Sequence, residues 1–183
     1  MTDLNISETT NPTTVSDYTV PSQTTDGAND GNKETRYNNE KFSSYYGKYN
    51  STTKIKMSIK AFATWVVGLG WEADTDTTVL LNHISGAGED TFLSIIWNML
   101  VIKKVHGDAY AEIIRDSETG TLINIKPLSP QNIIVVYNDQ GIIDRYEQAS
   151  RIEGKKNKVI FPQGMLHLVN DRVADSIRGD SVI

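Results

Sequence analysis

The chain has 183 residues, no cysteine, 38% hydrophobic residues and a formal net charge of −5. This length is enough for one domain with a hydrophobic core, and the lack of cysteine excludes disulfides and thiolate metal sites. No apolar run reaches the roughly 18 residues of a transmembrane helix, and the first residues lack the basic and apolar regions of a signal peptide. We therefore expect a soluble intracellular protein, and its mild acidity argues against non-specific binding to nucleic-acid phosphates.

Residues 1–53 form a polar segment that we predict to be a largely disordered arm. Residues 1–36 include nine Thr, six acidic residues and two basic ones, so they carry −4 of the net charge. Such a stretch buries too little apolar surface to offset the entropy lost on ordering. It is either a solvated tail or an arm that becomes ordered against a neighbouring subunit. The aromatic residues that follow mark an edge segment or a docking strip: Tyr37, Phe42, Tyr45, Tyr46 and Tyr49.

Two helices are predicted between residues 54 and 84. Apolar positions from Ile55 to Val66 recur with helical spacing, although the first few also alternate as they would in a strand. We favour a helix that ends near Gly68. The stretch Asp74–Thr77 can cap a second, short helix whose apolar positions lie between residues 79 and 84.

The clearest helix is predicted after residue 88. Asp90 or Thr91 can cap it, and apolar residues occupy most of its sides, so we assign Trp97 to the core. Gly107 is expected to stop this helix. We expect His106, near the end, to complement the negative end of the helix dipole.

From residue 108 the apolar residues alternate, which predicts a sheet built from hairpins. Strands are expected over 108–115 and 121–128, then over 133–137 and 142–146 around Gly141, which favours positive φ. Pro127 and Pro130 interrupt the pairing between the two hairpins. Two further strands are expected over 155–161 and 165–169, the first with a lysine-rich, solvated edge. The predicted fold class is α+β: helices packed on an antiparallel, hairpin-built sheet, preceded by the disordered arm.

Signatures of catalysis, of a cofactor and of a metal are all absent from the sequence. His83, His106 and His167 lack the spacing of metal ligands, and His167 is expected to be a hydrogen-bonded, partly buried imidazole in its strand. Phosphate-binding glycine motifs and the nucleophile elbow are also missing. We therefore expect no enzyme and no catalytic, cofactor-binding or metal-binding residue.

Two carboxylates on one predicted strand could form a catalytic pair. Asp108, Tyr110 and Glu112 share one face of a predicted strand, and paired carboxylates can perform acid–base chemistry. We interpret this face instead as a solvated one, opposite the apolar face that carries Ala109 and Ala111.

An ordered set of motifs from residue 107 onwards is more specific than any of its members. Gly-Asp-Ala-Tyr begins a strand after the long helix, Leu-Ser-Pro follows the first hairpin, and a strand with His167 leads to Arg-Gly-Asp-Ser. Over about residues 54–183 this order resembles the portal proteins of tailed bacterial and archaeal viruses. The positions that match the family pattern, with structural roles implied by the resemblance, are Asp108, Tyr110, Pro127, Leu128, Pro130, Gly141, Tyr146, His167, Arg178, Gly179 and Ser181.

The resemblance implies a portal arm (residues 1–53) and wing domain (residues 54–183) within a ring, usually of twelve subunits, at one capsid vertex. In that family the terminase drives double-stranded DNA through the ring without sequence specificity, adaptor proteins dock on it, and capsid or scaffold protein surrounds it. Such a protein belongs to the virion, assembles in the host cytoplasm, and needs neither membrane nor cofactor. Because the family's stem and clip would follow Ile183, we expect this chain to be a fragment truncated before the stem helices.

Two other functions remain open at this point. One is a free-standing interaction module, of viral or host origin and without catalysis, that binds its partner through the Thr-rich arm and the sheet edges. The other is an enzyme whose residues come from distant positions such as Asp108, His167 and Arg172.

Overall fold

A computed structural model describes residues 34–150, 152 and 154–183. Residues 1–33, which make up most of the predicted arm, lie outside the described residues, as do 151 and 153. In the described part, the helices are α1 Phe42–Ser51, α2 Thr53–Val67, α3 Thr75–Asn82 and α4 Phe92–His106. The strands are β1 Thr35–Asn38, β2 Asp108–Arg115, β3 Leu122–Leu128, β4 Ile133–Tyr137, β5 Ile143–Gln148, β6 Lys158–Ile160 and β7 Met165–Val169.

The predicted α+β class is confirmed, and the structure divides the strands between two sheets. One sheet has the order β1-β4-β5-β6 and the other the order β3-β2-β7. Every neighbouring pair is antiparallel. Buried residues of both sheets, among them Leu128 and Val135, form one apolar cluster between them. The two sheets therefore pack face to face.

Helix α4 is the centre of the helical layers. One of its sides contributes Val101 and Val105 to a cluster with α1 and α2. Its opposite side contributes Ile95 and Met99 to a cluster with the β3-β2-β7 sheet, and α3 joins that cluster through Leu81. The order of layers is α1 and α2, then α4, then one sheet, then the other.

Local signals explain the helix boundaries. Thr91, rather than Asp90, caps α4, because its hydroxyl accepts the Ser94 N–H while the Ser94 hydroxyl accepts the Thr91 N–H. Asp74 caps α3 by accepting a backbone N–H three residues on at 2.9 Å. Gly107 ends α4 with a φ of 103°, a conformation that favours glycine.

The folded region begins before the predicted boundary at residue 54. Strand β1 pairs with β4, and Tyr37 lies on this sheet edge, as one of our two interpretations proposed. Helix α1 packs on α4 and buries Tyr49 to 3% exposure. Residues 34–53 are therefore part of the fold, since their aromatic side chains bury apolar surface that the average composition of 1–53 conceals.

The face of β2 that we interpreted as solvated is buried, so that interpretation is wrong. Asp108 and Tyr110 are 0% and 2% exposed, and Glu112 is partly exposed. Because β2 is the central strand of its sheet, the second sheet covers this face while α4 covers Ala109 and Ala111. Alternation in the sequence shows that two faces differ, but it does not show what covers each one.

Two kinds of feature are missing from the ranges described above. No helix there is both long enough and apolar enough to cross a membrane. Nor do these residues bring together three or more His, Asp or Glu side chains in a position to hold a metal ion.

Candidate functional site: the buried polar junction

Asp108, Tyr146, His167 and Gly179 form one hydrogen-bonded group, which we call the polar junction. His167 Nε2 lies 3.1 Å from Asp108 Oδ1, and its Nδ1 lies 3.1 Å from the Tyr146 hydroxyl. The backbone N–H of Gly179 donates to both Asp108 oxygens at 3.2 and 3.3 Å. Four of the eleven positions that match the portal pattern thus converge, although they span 71 residues of sequence.

Strand pairing brings the members of the junction together. Asp108 begins β2, and His167 lies in β7 opposite Tyr110 of β2. Tyr146 comes from β5 in the other sheet, so its bond to His167 joins the two sheets. An ionised carboxylate only accepts hydrogen bonds, so Nε2 of His167 donates to Asp108 and, in the neutral ring, Nδ1 accepts from Tyr146.

Aromatic rings surround the imidazole. The Tyr110 ring stacks on His167 with centroids 4.5 Å apart and an angle of 23°, and Tyr146 meets it edge-on at 5.7 Å and 86°. Burial raises the pKa of Tyr146 to about 12 and the pKa of Tyr110 well above its usual value. Both phenols therefore stay protonated near neutral pH, so they are unsuited to act as bases there.

The C-terminal segment closes the junction from one side. A Cβ on Gly179 would lie 2.4 Å from the carbonyl oxygens of Gly107 and Asn170, so a larger residue cannot occupy this position without a shift. Asn170 accepts the Asp180 N–H through its carbonyl and donates its side-chain amide to the Asp180 carbonyl. The Ser181 hydroxyl donates to the Val105 carbonyl at 2.6 Å and so satisfies one of the last carbonyls of α4.

His106 does not play the role that we predicted for it. It is 0% exposed, and burial lowers its pKa to about 4. The charge of Asp108 acts to raise this pKa, whereas the charge of Arg178 lowers it further. Near neutral pH the ring is uncharged, so it cannot complement the helix dipole as a cation, and that prediction is wrong. Its Nε2 bonds to the Asn39 side chain at 2.9 Å, and its Nδ1 has no partner among the described residues.

Besides Tyr110 and Ser181, described above, five matched positions lie outside the junction. Leu128 and Pro130 are buried at the end of β3 and in the 3-10 turn after it, and Pro127 pairs with β2. Gly141 has a φ of 74° in the β4–β5 turn, as its type predicted. Burial opposes the charge of Arg178, but hydrogen bonding to tyrosine hydroxyls of β1 and α1 outweighs this effect and raises its pKa.

Sequence reasoning missed two buried asparagines that hold this region together. Asn39, 1% exposed, donates to the Ile133 carbonyl and bonds to His106, so it ties the first strand to β4 and α4. Asn170, also 1% exposed, holds the C-terminal segment. The position of Asn170 directly after the apolar strand β7 is a signal that could have found it, whereas Asn39 follows a polar stretch and has none.

The chemistry open to the junction is limited by its burial. An Asp–His–Tyr chain can relay a proton, but Asp108 and His167 have side chains only 0% and 8% exposed. Arg172, the third residue of our enzyme alternative, donates to the Ile177 carbonyl at 3.4 Å and lies outside the junction. Glu112 forms an ion pair with Lys158. The junction therefore links the two sheets and the C-terminal segment.

A basic cavity lies on another surface. It has a volume of about 470 Å³, and its lining includes Lys126, Lys155, Lys156 and Lys158. The lysines at the β6 edge are exposed, in agreement with the predicted solvated edge.

Comparisons with known proteins concern the fold alone. No protein-family model matches the sequence, and no curated protein matches it. The structure is similar to a chain from the virion of the native gene transfer agent (GTA) particle, with a TM-score of 0.61 and 16% identity over 77% of this chain. It is also similar to a chain from the neck of the empty GTA particle computed with C6 symmetry, with a TM-score of 0.62 and 16% identity over 76% of this chain. The chain spans about two fifths of the length of those chains, 38% and 40%.

Proposed function

We propose that this protein is a structural subunit of a portal ring, the head-to-tail connector through which a phage-like particle packages and ejects DNA. The observation that carries the proposal is the similarity of its fold to a chain from the neck of the GTA particle. That chain comes from a neck that was computed with C6 symmetry. The similar fold supports the same kind of place for this chain in a virion.

The convergence of the motif residues is a second, independent support. The resemblance to portal proteins rests on short motifs spread over residues 107–181. If those motifs had matched by chance, nothing would require their residues to meet in space. Asp108, Tyr146, His167 and Gly179 nevertheless form one buried network, which is the behaviour of positions that define a fold.

The finer parts of the proposed function follow from the resemblance to portal proteins. Twelve subunits would form a ring at one vertex of the capsid, and the particle would assemble in the host cytoplasm. The ring would bind the terminase large subunit, the head-tail adaptor and capsid or scaffold protein. Double-stranded DNA would pass without sequence-specific contact. The mild negative charge is compatible with a conduit to which phosphates do not adhere.

We propose no catalytic role. The residues with the best geometry for proton transfer, Asp108 and His167, have side chains only 0% and 8% exposed, which does not favour contact with a substrate. The purified protein is expected to show no hydrolase turnover. Turnover that His167→Ala abolishes while the fold is preserved would overturn this part of the proposal.

Imaging tests the ring directly. The product of the reading frame that contains this sequence should be examined by negative-stain electron microscopy and by mass measurement. Rings with a central opening and a fixed subunit number are expected. A product that stays monomeric at high protein concentration would refute the portal role and favour the free-standing interaction module.

A further inference from the structure

Helix α2 and the turn after it carry an apolar stripe that the described residues leave largely exposed. Phe62 and Trp65 of α2 and Leu69 in the turn lie at i, i+3 and i+7 and are 39%, 87% and 102% exposed. An adjacent face of α2 packs on α4 through Ile59 and Ala63, and Lys104 of α4 lies over the Phe62 ring, 4.8 Å from its centroid. Large apolar residues at this spacing are typical of a helix that inserts its side chains into a partner.

The charges around this stripe are separated by sign along the sequence. Residues 41–71 contain five lysines and no acidic residue, whereas residues 72–90 contain five acidic residues and neither Lys nor Arg. Nine of these ten charged side chains are exposed, all but Lys56. Within residues 34–150, 152 and 154–183, none of the ten takes part in an ion pair.

Helix α3, at the centre of the acidic segment 72–90, is poorly covered by the other residues that the structure describes. It has eight residues, none of them fully buried, and it exposes Val79 and Leu80 to 51% and 37%. An isolated helix of this length is not stable in water, so it depends on its cap and on contacts made by one side. The exposed side of α3 has apolar residues flanked by acidic ones, whereas the exposed stripe of α2 has apolar residues flanked by lysines. The two surfaces are therefore complementary in charge.

The two surfaces lie on different sides of the subunit. Helix α2 packs against the side of α4 that carries Val101 and Val105, and the cluster that includes α3 packs against the side that carries Ile95 and Met99. A contact between unlike surfaces on different sides of one subunit is heterologous. Repeated contacts of this kind produce rings when the rotation closes.

We propose that the apolar stripe of α2 on one copy of this chain packs against α3 on the next copy, with the flanking lysines paired to the carboxylates of residues 72–90. This inference rests on the proposed ring and assigns one of its subunit contacts. A second copy is the favoured occupant because the same chain carries both complementary surfaces, five charges of each sign and exposed apolar residues on both.

Cross-linking tests the contact without interference, because the chain has no cysteine of its own. Trp65→Cys and Val79→Cys variants of the chain are mixed and treated with a short bismaleimide. The mixture should give covalent dimers, each variant alone should give almost none, and a chain with both substitutions should give a ladder of multimers. Ile142→Cys, 59% exposed in the β4–β5 hairpin, is the matched control and should not cross-link to Trp65→Cys. Efficient linkage of Trp65→Cys to itself, or equal linkage to the control, overturns the proposal.

A charge-exchange cycle separates association from folding. Lys54→Glu with Lys60→Glu should weaken self-association in sedimentation measurements by about tenfold, as should Glu72→Lys with Asp76→Lys. Mixing the two exchanged proteins should restore association to within about threefold of the original, because the attraction is re-formed with reversed signs. No restoration, with both proteins folded by circular dichroism, contradicts the proposed pairing.

The outcomes distinguish this inference from the ring itself. Rings in electron micrographs without the Trp65–Val79 cross-link overturn the α2–α3 contact and leave the portal proposal standing. If the cross-link forms but the chains never close into rings, the α2–α3 contact is supported and the proposed ring is refuted. Binding to anionic phospholipid vesicles that requires Trp65, without any cross-link between copies, overturns the contact in favour of a membrane surface.

Discussion

The polar junction differs from the exposed surfaces of α2 and α3, here together called the α2–α3 surface, in how its side chains are satisfied. In the junction, Asp108 and His167 are almost fully buried, and each finds a hydrogen-bond partner inside the subunit. On α2 and α3, large apolar side chains such as Trp65 are exposed, and ten charged residues of residues 41–90 form no ion pair within the described part of the chain. The first region completes its interactions within the subunit, whereas the second keeps apolar and charged surface that the described residues leave exposed.

This difference separates two roles that sequence motifs do not distinguish. Residues of the junction are expected to set stability, because removing one partner leaves another buried and unpaired. Residues of the α2–α3 surface are expected to set association, with little effect on the subunit alone. The following changes test that division, from the largest expected effect to the smallest.

Asp108→Ala should have the largest effect. It leaves the Gly179 N–H and His167 without their acceptor, so the free energy of unfolding should fall by about 3 to 5 kcal/mol. Chemical denaturation measures it. The control Asp139→Ala, exposed in a turn, should change stability by less than about 0.5 kcal/mol. Equal effects of the two substitutions would remove the distinction between junction and surface.

Acid should destabilise the protein through His106. Its pKa is about 4 in the folded state and about 6.5 when unfolded, so the unfolded chain binds more protons between these values. Stability is therefore complete above about pH 6.5 and decreases as the pH falls towards 4, by up to roughly 3 kcal/mol. Denaturation at a series of pH values measures the slope. His106→Gln should reduce the dependence of stability on pH, whereas His83→Gln, at an exposed position, should leave that dependence unchanged.

Gly179→Ala should lower the free energy of unfolding by about 2 to 3 kcal/mol. Its Cβ would lie 2.4 Å from two carbonyl oxygens, so the C-terminal segment must move away from Asp108. Gly88→Ala is the control, since a Cβ there has no atom within 4 Å. Thermal unfolding of both variants measures the difference, and a stable Gly179→Ala protein would show that this segment is not part of the folded core.

Two tryptophans give the most direct comparison. Trp97→Ala should cost about 1 to 2 kcal/mol, because Trp97 packs in the α1–α2–α4 cluster and donates to the Thr64 hydroxyl at 3.2 Å. Trp65→Ala should change the stability of the isolated subunit by less than about 0.5 kcal/mol. Denaturation of dilute protein measures both. A large loss of stability in the Trp65→Ala subunit would mean that the stripe serves folding and not association.

Much of the local structure could be predicted because its causes are local. Thr91 and Gly107 bound α4 through a cap and a positive φ, and both are visible in the sequence. The hairpin strands follow from alternation, and Gly141 marks one turn. The roles of His106 and of the β2 face were predicted wrongly, because both depend on what packs against them and not on their neighbours in the chain.

The candidate site shows the same limit more strongly. The motif positions were identified by resemblance, but neither their hydrogen bonds nor the participation of Asn39 and Asn170 could be read from spacing. Partners such as Asp108 and Gly179 are 71 residues apart. Similarly, Trp65 and Trp97 look alike in sequence, and only the packing of α2 on α4 exposes one and covers the other.

The amino-acid sequence by itself determined the α+β class, the approximate limits of α2, α3 and α4, the hairpins and the order of motifs, because these depend on side-chain period, caps and turns within a few residues. It also separated the charges of residues 41–71 from those of 72–90. It did not reveal β1 and α1, which lie in the segment predicted to be largely disordered. Only the tertiary structure decided that the strands divide into two sheets, that Asp108 and His167 are buried, and that α2 keeps an apolar face outside. Whether a side chain is buried depends on which helix or sheet packs over it. That helix or sheet comes from a distant part of the chain, so the local sequence does not identify it.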